Sequence, residues 1–330
     1  GYISSESSII NGYTPGPSTE KECAETYPLE KEALDYFINH AGSPNGVIDG
    51  GIAIFAAGNE YAGNPAFPGA YSKCVCVSSV AADFTPACYT DYGTLVTLSA
   101  PGGDLEYYGK VGEAEDEYWS ETTEQKGAVL STMIQNGKPA YGYMEGTSMA
   151  CPHVSGVASL GLSYAVKQHR HYRAADFVSL MKRSVKDLDG YYTGGATKTY
   201  YMNHTTVGAS PEIVSLSKYI GKMGTGLIDA VQLLNNIKNK ENSSDMKLPN
   251  VYIGLEKTTT LNLPSYFEGV ESGYTCSVAD GNVASATITG TTLTVKGLAV
   301  GSTTLTVSVG GKQQTVTVIV RKAANNNGWM

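Results

Sequence analysis

Basic residues are in short supply: 23 Lys and Arg stand against 31 Asp and Glu, a formal net charge of −8 over 330 residues. No Lys/Arg cluster or stripe breaks this pattern, which argues against nucleic acid and against an anionic membrane surface as partners. No run of about eighteen apolar residues occurs, so no segment reads as a membrane span. The opening GYISSESSII also lacks the basic and long apolar regions of a signal peptide. It reads instead as the loop after a strand, with the expectation that something upstream is missing. Six cysteines (Cys23, Cys74, Cys76, Cys88, Cys151, Cys276) are too few for a disulfide scaffold, and no pair has C-x-x-C spacing. Buried free thiols are the simpler reading; a bridge from Cys74 or Cys76 to Cys88 is the alternative.

What is abundant is apolar and glycine-rich. Hydrophobic residues make up 42% and charged residues 16%, with 38 glycines, which is the balance of a folded chain rich in turns and strands. The length exceeds what one core organises, so two domains are expected. PLEKEALDYFINHAG places Leu29, Ala33, Leu34, Phe37 and Ile38 on one helical face, with Gly42 to end the helix. GGIAIFAAGNE then reads as a buried parallel strand, and CVCVSSVA, TLVTLSAPG and AVLSTM repeat that pattern. Long helices are expected from Ser148 to Tyr172, from Ala174 to Val185 and from Leu227 to Lys238. Residues 104–127 and 187–222, polar and tyrosine-rich, look like surface excursions.

The polar stretch NKENSSDMKLPN divides two compositions, placing a linker at 239–249. Beyond it, ASATITGTTLTVKGLAVGSTTLTVSVGGKQQTVTVIV alternates Thr or Ser with Val, Ile or Leu, as a small antiparallel β-sandwich does. Residues 250–322 resemble bacterial Ig-like type 2 domains, through SVADGNVASATI and the Gly-Leu-x-x-Gly turn of KGLAVGS. The resemblance implies a spacer or adhesion module. The tail AANNNGWM, residues 323–330, reads as disordered.

Chemistry concentrates in GYMEGTSMACPHVSG, residues 142–156. A serine hydroxyl needs a neighbouring base and donors for the oxyanion to act as a nucleophile. Thr147 or Ser148 can cap a helix, with Val154, Val157, Ala158 and Leu160 supporting its buried run. Ser148 then sits at the positive end of the helix dipole. Pro152 breaks a local rule, since it cannot donate to the Ser148 carbonyl, and such breaches tend to mark sites. His153 is not the base: five residues on a helix separate it from Ser148 by about 140°.

GTSMACPHVSG resembles the nucleophile motif of the subtilisin-like serine peptidases, matching it at every position that is not variable. FAAGNE is similar to that family's oxyanion-hole segment, and GKMGTGLIDA to its closing element. FPGAYSKCVCVSSV and LSAPGG fall where the family has a proline loop, a buried strand and an Ala-Pro-Gly turn. The resemblance covers residues 1–238. It implies an α/β fold, a subtilisin-like parallel sheet with helices on both faces and its N-terminal part missing, joined to the small all-β Ig-like sandwich. It further implies Ser148 as nucleophile and Asn59 as oxyanion donor. Gly1, Ala57, Gly58 and Ala66 would line the primary specificity pocket, and Gly146 and Thr147 would face the substrate. Small residues there imply an apolar slot for large uncharged side chains, with Glu60 at its rim able to admit Lys.

The family orders its triad Asp, His, Ser, yet neither an Asp-Thr/Ser-Gly nor a His-Gly-Thr/Ser motif precedes Asn59. His40 lies in the last turn of its helix, with no Gly after it. Asp49 in NGVIDGG looks like the catalytic strand but leads into the strand before AAGNE, which puts it at the wrong end. His169 and His171 lie about six turns along the helix expected to carry Ser148; as a metal pair they would not share a helix face. Three readings follow. This chain is the C-terminal portion of a serine endopeptidase whose Asp and His lie in an absent N-terminal segment; or a non-catalytic remnant acting as a surface binding or adhesion module; or its base comes from another subunit. The family resemblance implies a protein or peptide substrate and a secreted or cell-surface, bacterial location. It requires no cofactor; structural calcium is common in the family, though no Asp-rich loop here matches a calcium motif.

Overall fold

VCVSSV forms the strand Val75–Val80, buried along its whole length. In the computed structural model, which describes residues 16–42, 46–104, 127–200, 212–241 and 243–322, this strand is the second in a five-stranded sheet. Its order is Ile54–Ala56, Val75–Val80, Leu98–Pro101, Leu227–Ile228 and Val185–Lys186. Successive pairs are parallel, with Ile54 opposite Val75, Val77 opposite Leu98 and Leu227 opposite Ser99; only Val185–Lys186 runs antiparallel. A continuous apolar run fits a strand covered on both faces. The serines within it are satisfied: Ser78 Oγ donates to the Asp91 carbonyl at 2.6 Å, and Ser79 Oγ meets Tyr89 OH at 2.9 Å.

This sheet belongs to a unit made of Gly1–His40, Gly51–Gly161 and Phe177–Asn236. The helix Pro28–His40 packs through Leu34 and Ile38 on Ala53, Phe55, Tyr71 and Cys74. Asp35 fastens it, taking Lys31 and Lys73 ammonium groups at 2.6 Å each and Tyr71 OH at 2.7 Å. A short helix, Glu20–Thr26, precedes it, capped by Thr19 Oγ1 on Glu22 N–H. All six cysteines are free thiols, four of them buried.

Three sequence expectations need correction here. AVLSTM does not enter the parallel sheet. Val129–Gln135 pairs antiparallel with Lys138–Met144 as a separate hairpin on which Leu130, Ile134 and Tyr141 are exposed; period-two alternation was hidden under an apolar composition. Residues 187–222 are not mere surface. Leu188, Tyr192, Tyr200, Val214, Leu216 and Tyr219 are buried together with Val80 and Cys88, the tyrosine hydroxyls reaching the carbonyls of Phe84 and Pro86. Beside them Lys198 and Asp104 form a fully buried ion pair at 2.6 Å, completed by the Pro86 carbonyl and the Cys88 N–H. The other expected excursion lies, from 105 to 126, outside the described residues. The third helix starts at Ala230 rather than Leu227, because Leu227–Ile228 is used by the sheet.

The second unit comprises Ala41–Gly50, Leu162–Asp176 and Ile237–Met330. The helix expected to reach Tyr172 ends at Lys167, and His169 adopts φ 54°. Arg170–Arg173 is then a strand between Ile48–Asp49 and Ser244–Asp245, so long-range pairing overrides helical continuity. The same pairing draws 41–50 and 162–176 out of the expected 1–238 domain. Leu248, within the expected 239–249 linker, is buried in the cluster that two further sheets enclose. One has the order Val251–Gly254, Lys312–Arg321, Gly301–Val309, Thr275–Val278; the other Thr258–Asn262, Thr292–Gly297, Ala284–Thr289. Leu293, Val295, Leu305, Val307 and Val318 alternate inward with no exposure.

Candidate active site

The helix Thr147–Lys167 begins where the Gly146 carbonyl accepts the N–H groups of Met149 and Ala150 at 2.9 and 3.2 Å. Ser148 is exposed in its first turn, where free N–H groups and the helix dipole favour negative charge. Pro152 lies inside the helix and leaves the Ser148 carbonyl without its i+4 donor. Thr147, expected as a cap, does something else. Its buried hydroxyl turns across the chain to the Asn59 Oδ1 at 2.8 Å and the Gly58 carbonyl at 3.2 Å.

Asn59 follows the strand Ile54–Ala56 by three residues, at its carboxyl end, where parallel sheets place their sites. Its Oδ1 accepts from both Thr147 N–H and Thr147 Oγ1 at 2.8 Å. A donor-only N–H fixes which amide atom is the acceptor, so Nδ2 faces the other way. A methyl placed on Gly146 would stand 3.6 Å from Asn59 Nδ2 and 3.6 Å from Ser148 N. Asn59 Oδ1 is nearly as close, at 3.8 Å, and Gly146 adopts φ 141°, a backbone conformation that favours glycine.

Ala57 and Ala66, expected to line the primary pocket, are joined directly. Ala66 N–H donates to the Ala57 carbonyl at 2.8 Å, and Ala57 N–H to Val77 O at 2.9 Å. Ala57 and Ala66 are buried, Gly58 half-buried. Gly58 is closely approached from behind: a Cβ there would lie 2.2 Å from Asp91 Oδ2 and 2.6 Å from Glu60 Oε2. Gly1 lies outside the described residues.

The family model described as the subtilase family, peptidase S8, matches residues 12–208. The chain belongs to the subtilase family. Relatives include halolysin of Haloferax mediterranei, 35% identical over 42% of this chain and 20% of that protein. The extracellular basic protease of Dichelobacter nodosus is 24% identical over 61% of this chain and 26% of its own length. Thermitase of Thermoactinomyces vulgaris is 31% identical over 34% and 30%. The subtilase chain thus spans between a fifth and a third of these relatives, and its strands from Val251 onward fall beyond the family match.

Two residues of this subtilase site escaped sequence reasoning. Tyr89 OH accepts Gly146 N–H at 2.8 Å and lies 2.5 Å from the Gly103 carbonyl and 3.0 Å from that of Gly102. Burial holds its phenol well above the usual range, so it stays a neutral donor. Asp91, wholly buried, accepts Glu60 N–H at 3.0 Å and Ala62 N–H at 2.8 Å on Oδ1. In the sequence CYTDYG nothing local singles out either residue.

Three of the four described histidines of this subtilase chain are engaged elsewhere; the buried Nδ1 of the fourth, His169 in the second unit, has no hydrogen-bond partner among the described residues. His153 Nδ1 bonds the Met149 carbonyl of its own helix at 2.8 Å. His40 stacks on Tyr36 at 4.8 Å. In the second unit, His171 bridges Gly46 O at 3.0 Å and Asp49 at 2.8 Å. Among the described residues no three His, Cys, Asp or Glu side chains gather as metal ligands, and no helix is long and apolar enough to cross a membrane.

Proposed function

We propose that this chain carries the nucleophile and oxyanion half of a serine endopeptidase. Ser148 Oγ would attack the scissile carbonyl carbon, and the resulting oxyanion would accept from Ser148 N–H and Asn59 Nδ2. Expulsion of the amine leaves an acyl ester on Ser148, which water hydrolyses. The observation that carries this reading is the pair of bonds from Thr147 N–H and Oγ1 to Asn59 Oδ1, which seats the asparagine beside Ser148 at the helix start. The Asp and His come from polypeptide outside this sequence, a reading supported by the other engagements of His40, His153 and His171.

Ala57, Gly58 and Ala66 favour large uncharged side chains in the primary pocket. The sheets of 250–322 serve as an Ig-like spacer or adhesion module. A secreted or surface location fits relatives such as the extracellular protease of Dichelobacter nodosus. No cofactor is required for the chemistry.

The test uses the natural full-length protein. Peptide hydrolysis and fluorophosphonate labelling should both disappear in Ser148→Ala, and the present chain alone should resist labelling. A full-length protein that neither hydrolyses nor labels would leave the binding-module reading, which the lack of a described base near Ser148 favours.

A further inference from the structure

Beneath the Asn59 turn, two carboxyl groups meet. Asp91 is 0% exposed; its Oδ1 takes the N–H groups of Glu60 and Ala62, while its buried Oδ2 receives no N–H or O–H donor. Glu60 turns its own side chain back on the turn, with Oε2 accepting Asn59 N–H at 3.1 Å. Both Asp91 Oδ2 and Glu60 Oε2 close on the missing Cβ of Gly58, at 2.2 and 2.6 Å, which brings the two carboxyl groups together. Two ionised carboxylates do not share such a site in a low-dielectric surround. A cation between them would find only these two acidic ligands among the described residues, whereas a proton needs no more than two oxygens.

We propose that Asp91 is a carboxylic acid in the working protein, that it donates its proton from Oδ2 to the Glu60 carboxylate, and that this shared proton positions Asn59. The inference rests on the oxyanion role given to Asn59 above and adds the residues that hold it. The chain of contacts is continuous: Asp91 grips the backbone of Glu60 and Ala62, the proton fixes the Glu60 side chain, and Glu60 holds Asn59 N–H. Thr147 meanwhile holds Asn59 Oδ1. Burial first, then the Glu60 charge, pushes the Asp91 carboxyl up to about 9. Among the described residues the Cys76 thiol, on the strand Val75–Val80, also bears on Asp91; burial raises it, and it is neutral. When the proton leaves, two adjacent carboxylates repel, and Glu60, the more exposed partner, is the one free to swing away. Asn59 N–H then loses its acceptor.

Carboxyl-carbon NMR of the chain labelled at aspartate tests the proton directly, with the Asp91 signal assigned by its loss in Asp91→Asn. The expected result is a titration near pH 9, far above the ordinary carboxylate range, with the Asn59 side-chain amide signals moving at the same midpoint. In Asp91→Asn, whose amide can donate to Glu60 without titrating, the Asn59 signals should stay still. An Asp91 titration in the ordinary range overturns the shared proton, as does a shift of its signal on adding calcium. An Asn59 amide that ignores the Asp91 titration overturns the positioning role. Neither readout needs peptidase activity, so an inert full-length protein would sink the proposed function and leave this one standing or falling separately. In an active full-length protein, Asp91→Ala should lower kcat more than tenfold with KM within about twofold. Asp91→Asn should recover most of that loss and remove the alkaline fall in kcat.

Discussion

Asn59 and Thr147, 88 positions apart in the chain, are joined by two hydrogen bonds of 2.8 Å that both end on one oxygen, Asn59 Oδ1. One donor is a backbone N–H and the other a hydroxyl. Replacing Asn59 by Ala should therefore lower kcat by about 10²- to 10³-fold with little change in KM, a magnitude known for this family's oxyanion asparagine and not computed from the geometry. Thr147→Val keeps the N–H bond and loses only the hydroxyl, so about a tenfold loss is expected. Steady-state kinetics on the full-length protein compares the two. Equal losses would mean that Thr147 does more than aim the amide.

Gly146→Ala should be the more damaging change at this site. Its methyl would occupy the volume between Ser148 N and Asn59 Nδ2, and its φ of 141° would add about 1–3 kcal/mol of backbone strain. The expected outcome is a kcat/KM loss of about two orders of magnitude or more, with a lower Tm by calorimetry. Retained activity would show that the oxyanion does not sit there.

Tyr89→Phe removes the acceptor of Gly146 N–H and a donor to the Gly102–Gly103 carbonyls. Gly146 N–H keeps the Gly102 carbonyl at 2.9 Å, so the loss falls on the Gly103 carbonyl, at about 1–3 kcal/mol for a buried group deprived of its donor. Reduced thermal stability together with a lower kcat is expected. A fall in Tm alone would make Tyr89 a packing residue.

Stability should depend on pH through two carboxyls of opposite sign. Asp91, raised in the folded state, binds a proton that the unfolded chain has released. Its contribution is full below the ordinary carboxylate range and is lost as pH rises toward about 9, at up to about 1.4 kcal/mol per pH unit. Asp35 is lowered, by its bonds to Lys31, Lys73 and Tyr71. Its contribution is full above the ordinary range and is lost as pH falls below that range toward the depressed folded-state value. Denaturant titrations across pH should show Asp91→Asn flattening the alkaline decline. Asp35→Asn should cost about 1 kcal/mol or less at neutral pH, since Lys73 is half exposed, and the difference should vanish in acid.

Ser148 and Asn59 were legible because each belongs to a run whose residues have few alternatives: a glycine to leave space, a threonine to hold the amide, a serine at the helix start. The buried strand VCVSSV was legible for a similar reason, since little else suits a site covered on both faces. AVLSTM has the same composition but not the same surroundings, and composition alone could not separate a core strand from an exposed hairpin. Tyr192, Tyr200 and Tyr219 read as surface because phenols tolerate water; only the carbonyls of Phe84 and Pro86, and the Tyr200–Tyr219 pairing, made burial affordable. His169 ends a helix whose sequence would have allowed it to continue, because Tyr172 pairs with Ile48 far away in the chain. Asp91 was invisible for the same reason: its character comes from Glu60 and from burial, neither of which is local.

The one-way bond from Thr147 N–H to Asn59 also bears on how such a protein would age. Hydrolysis of the Asn59 amide to a carboxylate leaves an oxygen for Thr147 to hold, so the turn would keep its shape. The nitrogen facing Gly146 would become a second oxygen, presenting negative charge where negative charge must form. Deamidation at this position would yield molecules that fold, melt and pack like their neighbours and yet, on the role proposed for Asn59, do no chemistry.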